Sequence, residues 1–127
     1  MAVLSFNRSM GLLRGVPVVP LDLVGPLQNI SLGGIVDTGA TLCQVPSTYL
    51  MQAGLPTSGP TYATVATANG SVSLPVIYAG LYAFGQLWPN QLVVVGSGGP
   101  LLLGRDFLFQ ALAQFGIETS AQDFHWS

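Results

Sequence analysis

Apolar and polar residues alternate in short bursts along this chain, and each burst meets a glycine, proline, asparagine or serine before a long helix could form. The pattern predicts an all-β domain with one or two short helices. Candidate strands cover residues 4–7, 16–24, 34–36, 61–68, 71–81, 91–95 and 101–103. Between Thr61 and Tyr78 the alternation turns on Asn69-Gly70. Asn-Gly tolerates positive φ at both positions and so favours a type I′ turn, which makes this segment a projecting β-hairpin. Ser47 ahead of Thr-Tyr-Leu-Met-Gln-Ala and Gly54 predicts a helix capped by serine and stopped by glycine. A second helix is predicted from Arg105 through Phe107, Leu108, Ala111 and Leu112, whose spacing puts an apolar stripe on one face.

A length of 127 residues supports one domain spanning 1–127 and is too short for two independent lobes. An active site that needs two copies of a feature must then recruit a second chain. Half the residues are hydrophobic and only 6% are charged, so part of the apolar surface is expected to meet a partner or a substrate. Arg8, Arg14 and Arg105 are the only basic residues apart from one histidine, and the net charge is −2, which excludes a phosphate-binding basic patch and with it a nucleic-acid partner. Pro17, Pro20, Pro26 and Gly33 break the apolar runs before they could span a bilayer. The segment from Met1 to Met10 lacks a basic stretch followed by an apolar core, so no secretory signal is read and a cytoplasmic location is favoured, possibly as a domain of a longer chain.

Cys43 is the only cysteine and His125 the only histidine. A Cys/His zinc site lacks ligands, and a Ser-His-Asp hydrolase would hang its base three residues from the end. Cys43 reads as a small buried hydrophobe and His125 as a polar terminal residue. The run Gly96-Ser-Gly-Gly-Pro100 precedes a strand and no Lys-Ser/Thr follows, so it is a turn and not a phosphate loop. Trp88, Trp126, Tyr49, Tyr62, Tyr78 and Tyr82 read as core or interface filling.

The chemistry centres on Gly34-Ile-Val-Asp-Thr-Gly-Ala-Thr41, where an apolar strand delivers Asp37 into a tight turn. An acid at the end of a buried strand is costly unless something uses it, and Gly39 lets backbone N–H groups approach its carboxylate. Taken alone, Asp-Thr-Gly is an ordinary turn tripeptide. Downstream, however, Leu101-Leu-Leu-Gly-Arg-Asp-Phe-Leu108 reads as a buried strand, a glycine and a helix start. The two motifs, in this order and at this separation, resemble the retropepsin family of aspartic proteases, and the resemblance extends across nearly the whole chain.

The resemblance implies an acid-protease half-barrel that forms a two-fold homodimer, with bacterial and cellular single-domain members nearer than viral ones. It implies that Asp37 is the catalytic carboxylate, one from each subunit, activating water to hydrolyse an extended peptide or protein without metal or cofactor. Thr38 would hydrogen-bond across the dimer axis, and Gly39 would offer backbone contacts. Ala40 stands where two-lobed relatives often have serine and supplies no hydroxyl to stabilise the charged carboxylate, so a less acidic optimum than a pepsin-like enzyme's is expected. Ala66, Thr67, Ala68, Asn69 and Gly70 would form a flap over the substrate, and residues 115–126 would knit the dimer. Apolar subsites would come from the flap and the region 93–103. Gly104, Arg105 and Asp106 would pack beside the active-site loop. Viral members commonly place an aspartate after Asp-Thr-Gly-Ala to pair with that arginine; here Thr41 takes the position, which leaves the partner of Arg105 open. A non-catalytic peptide-binding or dimerisation module of the same fold is the alternative.

Overall fold

Strict alternation shapes the first half of the chain. A computed structural model describes residues 8–12, 16–113, 115–118 and 123–127; the expected strand at 4–7 lies outside them. After β1 (Arg8–Gly11), β2 (Val18–Val24) turns Val19, Leu21 and Leu23 inward and leaves Pro20 exposed. It pairs antiparallel with β3 (Asn29–Val36), from Val18 opposite Ile35 to Val24 opposite Asn29. β3 is longer than residues 34–36 because its first half is covered on one face only, and Ser31 and Gly33 blur the apolar signal. A four-residue strand unmarked in the sequence, β4 (Cys43–Pro46), leads into α1 (Ser47–Ala53). Ser47 is not the cap of α1; Pro46 takes that position and no side chain caps the helix. Gly54 does end it, in the left-handed region at φ 81°, with its N–H donating to the last-turn carbonyls.

β5 (Tyr62–Thr67) and β6 (Gly70–Ala83) form the expected hairpin, and β7 (Gln86–Gly96), β8 (Leu101–Leu103) and α2 (Arg105–Ala111) follow. The main sheet runs β2-β3-β8-β4-β7-β6-β5, and a further pairing of β2 with β6 closes its first six strands into a barrel. The half-barrel of the sequence reading is thus a closed ring. β6 makes this possible because its 14 residues outlast the hairpin: Gly70–Pro75 pair with β5, whereas Gly80–Tyr82 reach Asp22–Val24 of β2. Leu23, Val45, Leu50, Leu81, Val93, Leu103 and Leu108 fill the interior with no exposed surface, each removing from water an area worth about 2 kcal/mol.

The turn at Asn69-Gly70 does not have the type I′ geometry expected of it. Thr67 pairs with Gly70, so Ala68 and Asn69 form the loop, and of Asn69 and Gly70 only Gly70 has positive φ, at 117°. Consecutive positive-φ residues, the mark of a type I′ turn, occur instead at Phe84 (54°) and Gly85 (76°), between β6 and β7. Phe84 tolerates this costly backbone because its ring stacks on Phe107 at 6.3 Å and meets Trp126 at 5.5 Å. Aromatic packing thus overrides turn propensity. Along β6, Ile77 and Ala79 point inward, so the intervening Tyr78 stands exposed; Tyr62 and Tyr82 are exposed too and do not fill the core, unlike the half-buried Tyr49 and Trp88.

A separate three-stranded sheet has the order β1-β10-β9, with β9 (Phe115–Glu118) and β10 (Asp123–Trp126). β10 pairs with both neighbours inside the one chain. Phe124, fully buried, stacks on Trp126 at 5.5 Å and meets Phe115 at 6.2 Å, which fastens this sheet to the barrel through Phe84 and Phe107.

Candidate active site

Strand β3 carries Gly34, Ile35 and Val36 into the barrel beside β8, in parallel register with Leu101, Leu102 and Leu103. Asp37 is the first residue beyond. Its N–H donates to the Leu103 carbonyl at 3.0 Å, so the β3–β8 ladder reaches one residue past the strand and sets where the carboxyl stands. Asp37 is half-buried, and its Oδ1 accepts the Gly39 N–H at 3.0 Å. The Ala40 N–H closes the turn on the Asp37 carbonyl at 3.2 Å. A carboxylate that accepts a backbone N–H is oriented without needing another side chain.

Helix α2 anchors the other end of this loop. The first N–H groups of a helix have no partner within it. Here Arg105 donates its N–H to the Ala40 carbonyl at 2.8 Å, and Asp106 donates to the Thr41 carbonyl at 2.9 Å. Gly104 precedes the helix against the backbone of Leu42, where a methyl group would overlap main-chain atoms, and its N–H meets the Cys43 sulfur at 3.4 Å. Burial pushes the Cys43 thiol up from 9.0 to about 11, so it stays neutral and serves as packing. The Arg105 side chain completes the brace. Its Nη1 donates to the Thr38 carbonyl at 3.2 Å and its Nη2 to the Thr41 hydroxyl at 3.1 Å. Thr41 therefore supplies the partner that the sequence left open.

Asp37, Gly39, Ala40 and Thr41 line a cleft of about 590 Å³ whose opposite wall is the first strand of the hairpin, at Ala63, Thr64, Val65 and Ala66. Its floor is Leu42, Gln44, Val94 and Leu102. Of the hairpin residues named from the sequence, Ala66 lines the cleft, whereas Ala68, Asn69 and Gly70 form the exposed tip; Thr67 ends β5. Residues 63–65 were missed because alternation marks a strand without saying which part faces a cavity. Val94 and Leu102 fall within the apolar region expected to form subsites. Thr38 is exposed at the rim. Gly104, Arg105 and Asp106 lie beside the loop, tied to it by the hydrogen bonds of Arg105 and Asp106.

A family model described as gag-polyprotein putative aspartyl protease matches residues 27–110, a span running from the approach to β3 almost to the end of α2. The chain belongs to this family. Among solved structures, a retropepsin-like aspartic protease from Rickettsia conorii is similar over 99% of this chain and 96% of its own, with a TM-score of 0.71 and 17% identity. The EIAV protease, solved with the inhibitor HBY-793, gives a TM-score of 0.60 at 17% identity over 75% of this chain and 86% of its own. The simian foamy virus (mac) protease gives 0.53 at 18% identity, covering 72% and 91% respectively. No curated protein matches the chain. At such low identity the likeness establishes a shared retropepsin-like fold, while the family assignment rests on the matched segment, which contains both Asp37-Thr38-Gly39 and Gly104-Arg105-Asp106.

Proposed function

We propose that this protein is an aspartic endopeptidase whose active site is completed by a second copy of the same chain. One observation carries the reading: among the described residues, Asp37 is the sole acid lining a cleft large enough for an extended peptide. Aspartic-protease chemistry needs two carboxylates in contact, and one chain brings one. Two such groups about 3 Å apart cannot both ionise, so the pair holds a single proton. The ionised member takes a proton from bound water as that water attacks the peptide carbonyl. The protonated member donates to the developing oxyanion, and proton transfer then releases the amine.

The arrangement of the loop supports this assignment. Thr38 stands exposed at its tip, with its carbonyl held by Arg105 and its hydroxyl available for a bond across a dimer axis. The hairpin faces Asp37 with β5, an edge strand that among the described residues pairs only with β6, which suits it to bind an extended peptide by strand addition. Asp37→Asn keeps size and shape but removes the base. Peptide cleavage is expected to fall at least about a thousandfold while the circular dichroism spectrum and melting temperature stay near wild type. Residual activity above a few per cent in a folded variant would remove Asp37 from the catalytic role.

A further inference from the structure

Gln44 is a polar side chain in the apolar floor of the cleft. It lies on β4 opposite Leu102 of β8 and Val94 of β7, both of which line the same cavity. Its position is set by its neighbours: the Gln44 side chain lies over Gly96, where a methyl group would come within 2.8 Å of Nε2 and 3.1 Å of Cγ. With no side chain at residue 96, the amide holds this position without having to rotate aside.

A carboxamide has two donor hydrogens and an accepting oxygen, and leaving them unmet in a closed interior is costly. Among the described residues no hydrogen bond to the Gln44 side chain occurs, and no buried side-chain nitrogen or oxygen lacks a partner. The amide is therefore open to the cleft and not sealed in the core. The other polar cleft side chains have different situations. Asp37 holds Gly39, the Thr41 hydroxyl takes the Arg105 guanidinium, and Thr64 lies on the projecting hairpin.

We infer that Gln44 is a specificity-determining residue, selecting substrates that place a carboxamide side chain, asparagine or glutamine, in the subsite it shares with Val94 and Leu102. A carboxamide can accept from Nε2 and donate to Oε1 at once through two separate atoms, forming a reciprocal pair that matches the Gln44 amide in geometry. An aliphatic side chain in that subsite would bury the Gln44 amide without partners. Beside the apolar subsites expected from the flap and the region 93–103, the cleft thus contains one position of opposite preference. The inference rests on the endopeptidase reading above.

The test uses two readouts so that the two proposals fail separately. Cleavage of a randomised peptide library by wild type should show asparagine or glutamine preferred over leucine at one position near the scissile bond, by roughly tenfold for two hydrogen bonds gained. Gln44→Leu, similar in volume, should reverse that preference at the same position and leave the others unchanged. Gln44→Glu, which keeps the chain length, should favour lysine or arginine there instead. In parallel, Asp37→Asn protein, with and without Gln44→Leu, is used to select binding peptides from the same library, a readout that does not require cleavage. Selected binding with the predicted carboxamide preference but no cleavage by wild type would overturn the endopeptidase reading and uphold the role of Gln44. Cleavage or binding with the same profile for wild type and Gln44→Leu would overturn the role of Gln44, as would absence of any selected peptide in both experiments.

Discussion

The Arg105 guanidinium spans from the Thr38 carbonyl to the Thr41 hydroxyl, so one side chain ties both ends of the turn after Asp37 to helix α2. Because it is exposed and its partners are neutral, its contribution is mainly one of position. Gly104, one residue earlier, is constrained far more tightly. A side chain there would have to displace the main chain of Leu42, which belongs to the cleft floor. Gly104→Ala is expected to cost about 1–3 kcal/mol, seen as a lower denaturant midpoint, because backbone cannot rotate aside as a side chain can. Peptide cleavage should fall with it as the loop and α2 move apart. An unchanged midpoint would mean that α2 shifts freely, and the brace described above would not exist.

Among the elements, the β5–β6 hairpin is the one most separable from the barrel. Its tip, residues 68–73, is exposed throughout, and a Cβ at Gly70 would meet nothing within 4 Å. Any effect of substitution at Gly70 is therefore conformational, since φ near 117° is open to glycine and strained for a β-branched residue. Gly70→Val should reduce kcat/KM for a peptide about tenfold or more while shifting the melting temperature by only a few degrees. If the melting temperature collapses and activity persists, the hairpin serves the core instead of the cleft. The β6–β7 turn makes the contrast plain: Phe84 is strained there, but its ring is locked among Phe107 and Trp126.

For the molecule as a whole, a cleft with one aspartate couples activity to association. Specific activity should fall when the protein is diluted below its dimer dissociation constant, whereas a self-contained enzyme would show none of this. Mixing sharpens the test. Wild-type chains equilibrated with excess Asp37→Asn chains should be captured as heterodimers holding one carboxylate, and activity per wild-type chain should drop well below that of the diluted control. Unchanged activity despite demonstrated subunit exchange would refute the shared site. Exposed Leu27, Met51, Tyr78 and Phe109 leave apolar surface on the single chain, consistent with the chain's low charge.

Local pattern was enough to determine the β class, the hairpin, both helices, and Asp37 at the end of a buried strand, because alternation, glycine stops and a two-part motif are written in neighbouring residues. β4 escaped because four residues carry too little periodicity to mark a strand. Closure of the barrel depended on β6 reaching β2 across nearly 60 residues, and the geometry of the β6–β7 turn was decided by aromatic rings brought together from distant positions. The partner of Arg105 and the opening of Gln44 onto the cleft likewise arise only where β3, β4, β8 and α2 converge. Sequence names the groups that can do chemistry, while tertiary packing selects which of them face a common space, since contact there is set by burial and register rather than by separation along the chain.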